Sequence, residues 1–215
     1  MKYVIGNWKA NKNFDEVKAW IQTFLMTYKA QPGVSVILCP PHPFISYLYE
    51  KLGPIENVCI GAQTISSIES GSYTGEVTAK SLAGMARYAI IGHSERRNAL
   101  KETDEDLALK IVQAKKYGLE PVYCVRNEKD ISPESVGFVS YEPVNSIGTG
   151  QNESLENVLE MKNKLHLPKD VIFLYGGSVN ENNVKEYVSS EQIDGFIIGG
   201  ASLDVNQFLR IINSF

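Results

Sequence analysis

The sequence predicts an α/β fold: a single closed (β/α)8 barrel, with residues 1–215 forming one domain and an abbreviated fifth helix. Three observations carry this expectation. Eight short β-branched runs alternate with longer amphipathic stretches, the order that βαβ units and a parallel sheet produce. The runs are apolar throughout, as parallel strands covered on both faces must be. A length of 215 residues with 43% hydrophobic content suits such barrels, which commonly run about 200 to 250 residues around one core.

In chain order, strands are expected at Tyr3–Trp8, Val34–Cys39, Val58–Gly61, Tyr88–Ile91, Pro121–Val125, Gly137–Tyr141, Val171–Tyr175 and Gly195–Ile198. Between them Phe14–Tyr28, Asp104–Tyr117, Leu155–Leu165 and Glu181–Val188 are patterned as helices, with Asp104 and Asn180 as short oxygen acceptors suited to capping. From Arg126 to Ser135 only about ten residues separate the fifth and sixth strands, near the minimum for a crossover with its helix, so a full fifth helix is not expected. Cys39, Cys59 and Cys124 each end a short apolar run, which makes them candidates for buried strand positions in a reducing compartment rather than bridge partners.

A formal net charge of -4 and a pI near 5.5 give no basic footprint for nucleic acid, so the expected partner is a small molecule. The N-terminal MKYVIGNWKANKN turns polar after a four-residue apolar stretch; neither a signal peptide nor a membrane span is expected there, and the cytoplasm is the default compartment.

In a barrel of this class functional groups gather at the carboxyl ends of the strands. Strand one is followed by Asn7 and Lys9, strand four by His93, Ser94 and Glu95, strand six by Glu142, strand seven by Gly176, Gly177 and Ser178, and strand eight by Gly199 and Gly200. The last two groups let backbone N–H groups approach an anion, which points to a phosphorylated ligand, although glycine after a strand also serves tight turns. Glu142, followed by Pro143 and the glycine-bearing Ile147–Gly150, suits a general base under a movable loop; the alternative is an exposed glutamate at a strand end. His93 sits where a strand runs into a helix start, a setting that favours a neutral, hydrogen-bond-donating ring, against a purely structural histidine. Lys9 would place an ammonium in the barrel mouth to attract phosphate and offset oxyanion charge, against an ordinary solvated lysine.

These residues fall in motifs. GNWKAN at Gly6–Asn11, GHSERR at Gly92–Arg97, YEPV followed by IGTG at Tyr141–Gly150, YGGSV at Tyr175–Val179 and GGASL at Gly199–Leu203 resemble the signature segments of the triosephosphate isomerase family, and Tyr73–Glu76 resembles its subunit-contact loop. The resemblance spans the chain. It implies a TIM barrel and an intramolecular aldose–ketose isomerase of glycolysis and gluconeogenesis, which interconverts dihydroxyacetone phosphate and D-glyceraldehyde 3-phosphate through an enediolate without metal or organic cofactor.

By the same resemblance Glu142 is the base, His93 the electrophile facing the substrate oxygens, and Lys9 the electrostatic stabiliser. Asn7 holds that lysine and a substrate oxygen, Glu95 partners Lys9, and Ser94 contacts the resting base. Gly148, Ser178, Gly199 and Gly200 supply N–H groups to the phosphate, Ile147 and Ile197 press on the base and desolvate it, which raises a carboxylate's basicity, and Tyr175 is a further supporting residue. Thr74 reaches toward a neighbour's Lys9 and His93 in a homodimer or homotetramer. Three departures stand out: Val144, Asn145 and Ser146 replace the usual first hinge, Gln151, Asn152 and Glu153 the second, and Arg126-Asn127 the usual Gly-Glu after strand five. The nearly absent fifth helix resembles the compact archaeal members that assemble as tetramers, while the first motif resembles bacterial ones. Competing readings are a non-catalytic phosphate-binding barrel, which would have lost base, electrophile or lysine, and another small phosphosugar isomerase, which would need other acid and base residues.

Overall fold

The computed structural model describes residues 1–130, 132–143 and 152–215. Eight parallel strands, β1 (Lys2–Asn7), β2 (Val34–Cys39), β3 (Val58–Ala62), β4 (Tyr88–Ile91), β5 (Glu120–Val125), β6 (Phe138–Tyr141), β7 (Ile172–Tyr175) and β8 (Gly195–Ile198), pair in chain order and close where β1 meets β8. Helices α1 (Phe14–Thr27), α2 (Ile45–Leu52), α3 (Ala79–Leu82), α4 (Ser94–Ala99), α5 (Asp104–Lys116), α6 (Leu155–Lys164), α7 (Val184–Val188) and α8 (Val205–Ile212) fill the connections. Between β5 and β6 the described residues contain no helix, in keeping with the short spacing there.

The connection is closed instead by an ion pair. Arg126 donates from its backbone N (2.8 Å), Nε (2.7 Å) and Nη2 (2.7 Å) to the Asp130 carboxylate. Burial alone would raise the Asp130 pKa, but these bonds outweigh it and hold the carboxyl below its ordinary value.

Strand alternation divides the core into two layers. Ile5, Ile37, Ile90, Val122, Cys124, Leu174 and Ile197 point into the barrel, whereas Val4, Val36, Ile91, Val125, Phe173, Phe196 and Ile198 pack outward under the helices. The barrel floor is closed by aromatic rings, Tyr3 and Tyr88 each meeting Phe138 edge-on with centroids 4.9 and 5.6 Å away. Carried to the opposite rim, the same inward parity falls on Asn7, Glu142, Gly176 and Gly199.

Several boundaries differ from the sequence expectation. Trp8 lies beyond β1, because Lys9 turns left-handed at φ 51° and ends the strand. Thr103, not Asp104, caps α5: its extended backbone lets its side chain accept from the Asp106 N–H, and Asp106 returns a bond to the cap. Asn180 caps no helix, since Asn180–Asn183 forms a turn in which the Asn180 side chain accepts from Asn182 N, delaying α7 to Val184. Cys39 and Cys124 are buried, but Cys59 is only partly so.

Candidate active site

The inward-facing rim residues open onto a cavity of about 310 Å³ lined by Asn7, Lys9, His93, Glu142, Ser178, Gly199 and Gly200, together with Gly176, Ile197 and their neighbours. Asn7, at the end of β1, is 4% exposed, and its Oδ1 accepts from the Lys9 backbone N–H at 3.1 Å. That bond supports the left-handed Lys9, a conformation costing a non-glycine residue about 1–3 kcal/mol. Gln63 braces the same turn, its Nε2 donating to the carbonyls of Lys9 (2.8 Å) and Cys39 (2.9 Å). So held, Lys9 extends Nζ to within 2.5 Å of Glu95 Oε1.

His93 reaches the rim through a turn that only glycine fits comfortably. Gly92 has φ 76°, and a Cβ there would stand 2.9 Å from the Arg97 guanidinium. Arg97, itself buried, donates to the carbonyls of Gly92 (2.8 Å) and Cys124 (3.2 Å) and to the Tyr123 hydroxyl (3.0 Å), tying this turn to β5. His93 caps α4: its Nδ1 accepts from the Glu95 N–H at 3.3 Å. A nitrogen that accepts this bond carries a lone pair, so the ring's proton sits on Nε2, 3.5 Å from Glu142 Oε1.

Glu142 is 1% exposed. Its Oε2 accepts from the backbone N–H of Ser94 at 3.1 Å, while Oε1 has no hydrogen-bond partner among the described residues. Behind it, burial and then the neighbouring Glu142 carboxylate push the Cys124 thiol far above its ordinary range. Gly176 completes the wall, where a Cβ would approach Glu142 Cγ to 3.0 Å.

The remaining expected residues divide. Ser178, left-handed at φ 57°, Gly199 and Gly200 line the cavity, and Ile197 forms part of its floor. Glu95 joins through Lys9, and Ser94 through its backbone rather than its side chain. Tyr175 faces the outer layer, away from the cavity, with its hydroxyl bonded to Glu153 N. Thr74 is exposed on the connection between β3 and α3, and nothing from that connection lines the cavity. Ile147 and Gly148, with Val144, Asn145, Ser146 and Gln151, lie outside the described residues.

Four contributors went unread in the sequence. Gln63 directly follows β3, Arg97 closes the GHSERR motif and Asn180 follows YGGSV, so strand-end reading extended by a residue or two reaches the first and last; Gln207, on α8, has no such signal. Among the described residues no cluster of three or more His, Cys, Asp or Glu is arranged to hold a metal ion, and no helix is long and apolar enough to cross a membrane.

The chain matches the family model described as Triosephosphate isomerase over residues 2–215. It is similar to a triosephosphate isomerase of Mesomycoplasma hyopneumoniae (strain 7448), 37% identical over 240 residues and covering 98% of each chain. Another of that name from Hahella chejuensis is 35% identical over 244 residues, covering 99% of this chain and 98% of its own. A third, from Trichormus variabilis, is 35% identical over 237 residues, with 98% and 97% covered.

Proposed function

This chain belongs to the triosephosphate isomerase family, and on that premise we propose that its rim cavity interconverts dihydroxyacetone phosphate and D-glyceraldehyde 3-phosphate, as an isomerase of glycolysis and gluconeogenesis. The observation that carries the proposal is the buried Glu142 Oε1, without a hydrogen-bond partner among the described residues, standing 3.5 Å from His93 Nε2 in a cavity rimmed by glycine turns.

The chemistry follows from what each group can do. Glu142 takes a proton from one substrate carbon and returns it to the adjacent carbon, and its free oxygen is the one available for that transfer. His93, with its proton on Nε2, donates toward the carbonyl oxygen, where negative charge grows as the C–H bond breaks. Lys9 adds a fixed positive charge at the mouth, and Asn7 holds it there. Glu95 keeps the ammonium in place, and Ser94 N–H parks the carboxylate between turnovers. Ser178, Gly199 and Gly200, with Gly148, would bind the phosphate; Ile197 and Ile147 would shield the base, and Tyr175 would brace the wall. No metal or organic cofactor enters this scheme. We assign the whole chain to one catalytic domain in the cytoplasm. Self-association, as a homodimer or homotetramer, would bring Thr74 of one copy toward the Lys9 and His93 of another.

A coupled assay of the purified protein with glyceraldehyde 3-phosphate tests the reaction, run beside binding of a phosphorylated hydroxamate that mimics the enediolate. Fast isomerisation, insensitive to a metal chelator, is the expected result. Binding of the mimic without turnover would replace the enzyme with a phosphate-binding barrel.

A further inference from the structure

Glu153 is one of the departures from the family pattern, and the chemistry proposed above makes no use of it. Each of its polar groups is held by a tyrosine from a different element. The Glu153 N–H donates to the Tyr175 hydroxyl of β7 at 2.9 Å, and its carbonyl accepts from the Tyr187 hydroxyl of α7. Its carboxylate oxygens accept from the Tyr141 hydroxyl of β6 at 3.3 and 3.2 Å. Asn152 joins in, its Nδ2 donating to Tyr187 Oη at 2.6 Å. The three tyrosines are all buried, with ring centroids 6.3 Å apart for Tyr141 and Tyr175 and 4.9 Å for Tyr175 and Tyr187.

Tyr141 immediately precedes Glu142, and strand alternation sends their side chains to opposite faces of the barrel wall. Tyr141 packs in the outer layer; Glu142 enters the cavity. Anchoring the outward ring therefore fixes the peptide that aims the inward carboxylate. The backbone here is already tied by Glu142 N to Val125 O and Gly176 N to Tyr141 O, both at 2.8 Å, which leaves the Tyr141 hydroxyl as the handle that reaches beyond the sheet. That hydroxyl proton is shared between the two carboxylate oxygens of Glu153, which tethers the ring to the chain beyond β6.

We infer that Glu153 is a positioning residue for Glu142, acting through the Tyr141 hydroxyl to set the carboxylate against His93. The inference rests on the reading of Glu142 as the base. Misplacement of a reacting group by 1 Å can cost on the order of a hundredfold, so a partial loss of aim should be measurable.

The test is a double-substitution cycle with glyceraldehyde 3-phosphate as substrate. Glu153→Ala and Tyr141→Phe should each lower kcat by about tenfold and leave KM within roughly twofold. The double variant should be no slower than either alone, because both remove one contact. Glu153→Gln, whose amide oxygen accepts the same bond, should recover most of the rate. A wild-type kcat in Glu153→Ala, a change confined to KM, or additive losses in the double variant would overturn the inference. Should Glu153→Ala not fold by circular dichroism, Tyr141→Phe and Glu153→Gln carry the comparison: equal kcat in wild type and Tyr141→Phe would overturn it. Inactive wild-type protein would instead sink the isomerase reading itself, so the two failures are distinguishable.

Discussion

Glu142 joins two properties that stability alone does not favour, near-complete burial and a carboxylate oxygen with no partner among the described residues. Leaving a buried polar group unpaired costs about 1–3 kcal/mol, more for a charge, and such a cost persists where a ligand is meant to meet the atom. Replacement by the uncharged isostere should therefore separate activity from folding. Glu142→Gln is expected to lower kcat by at least roughly a hundredfold, the typical worth of acid–base catalysis, with a thermal midpoint equal to or above that of the parent. Retained activity, read in the same coupled assay, would remove Glu142 from the base role. The sequence made Glu142, His93 and Lys9 visible because each stands within two residues of the end of an apolar run. It did not reveal that Ser94 acts through its backbone, or that the outward Tyr175 ends its contacts on Glu153, since neither depends on residue type at the strand end.

At the scale of elements, the connection after β5 shows how a missing helix is replaced. Arg126 and Asp130 supply three hydrogen bonds within five residues, and the Asp130 side chain is 8% exposed. Hydrogen bonds to charged groups contribute about 1.5–3 kcal/mol, so Asp130→Ala should destabilise by about 2 kcal/mol, or roughly 4–8 °C in thermal midpoint for a chain of this size. The Asp130 pKa lies below its ordinary value in the folded state, so the unfolded chain takes up the proton first as pH falls. The stabilisation is then full above about pH 4 and disappears as pH drops through the depressed folded value. Scanning calorimetry of both proteins should show a constant gap between pH 6 and 8 that closes below about pH 4. A gap that widened in acid would contradict the pairing. The spacing announced the short connection; the pair that closes it is settled only by the fold, because Arg126 and Asp130 are an ordinary i,i+4 charge pattern in sequence.

For the molecule as a whole, eight strands in chain order, closing where β1 meets β8, gather residues from positions 7 to 207 around one cavity. Alignments to its relatives extend over 240 residues against a chain of 215, so those proteins carry segments absent here, consistent with the compact connections. Thr74 is exposed and does not line the cavity of its own copy. If it completes a neighbour's site, size-exclusion chromatography at micromolar concentration should show a dimer or tetramer; a fully active monomer would rule that contribution out. Fold class, strand order and the main rim residues were determined by the sequence itself, because apolar runs of parallel strands and the residues that end them are local patterns. Only the tertiary structure decided which groups meet. Arg97 tying the His93 turn to Tyr123 and Cys124 of β5, Gln63 bracing Lys9, and three tyrosines converging on Glu153 are contacts between separate elements, and their geometry exists only once the barrel has closed.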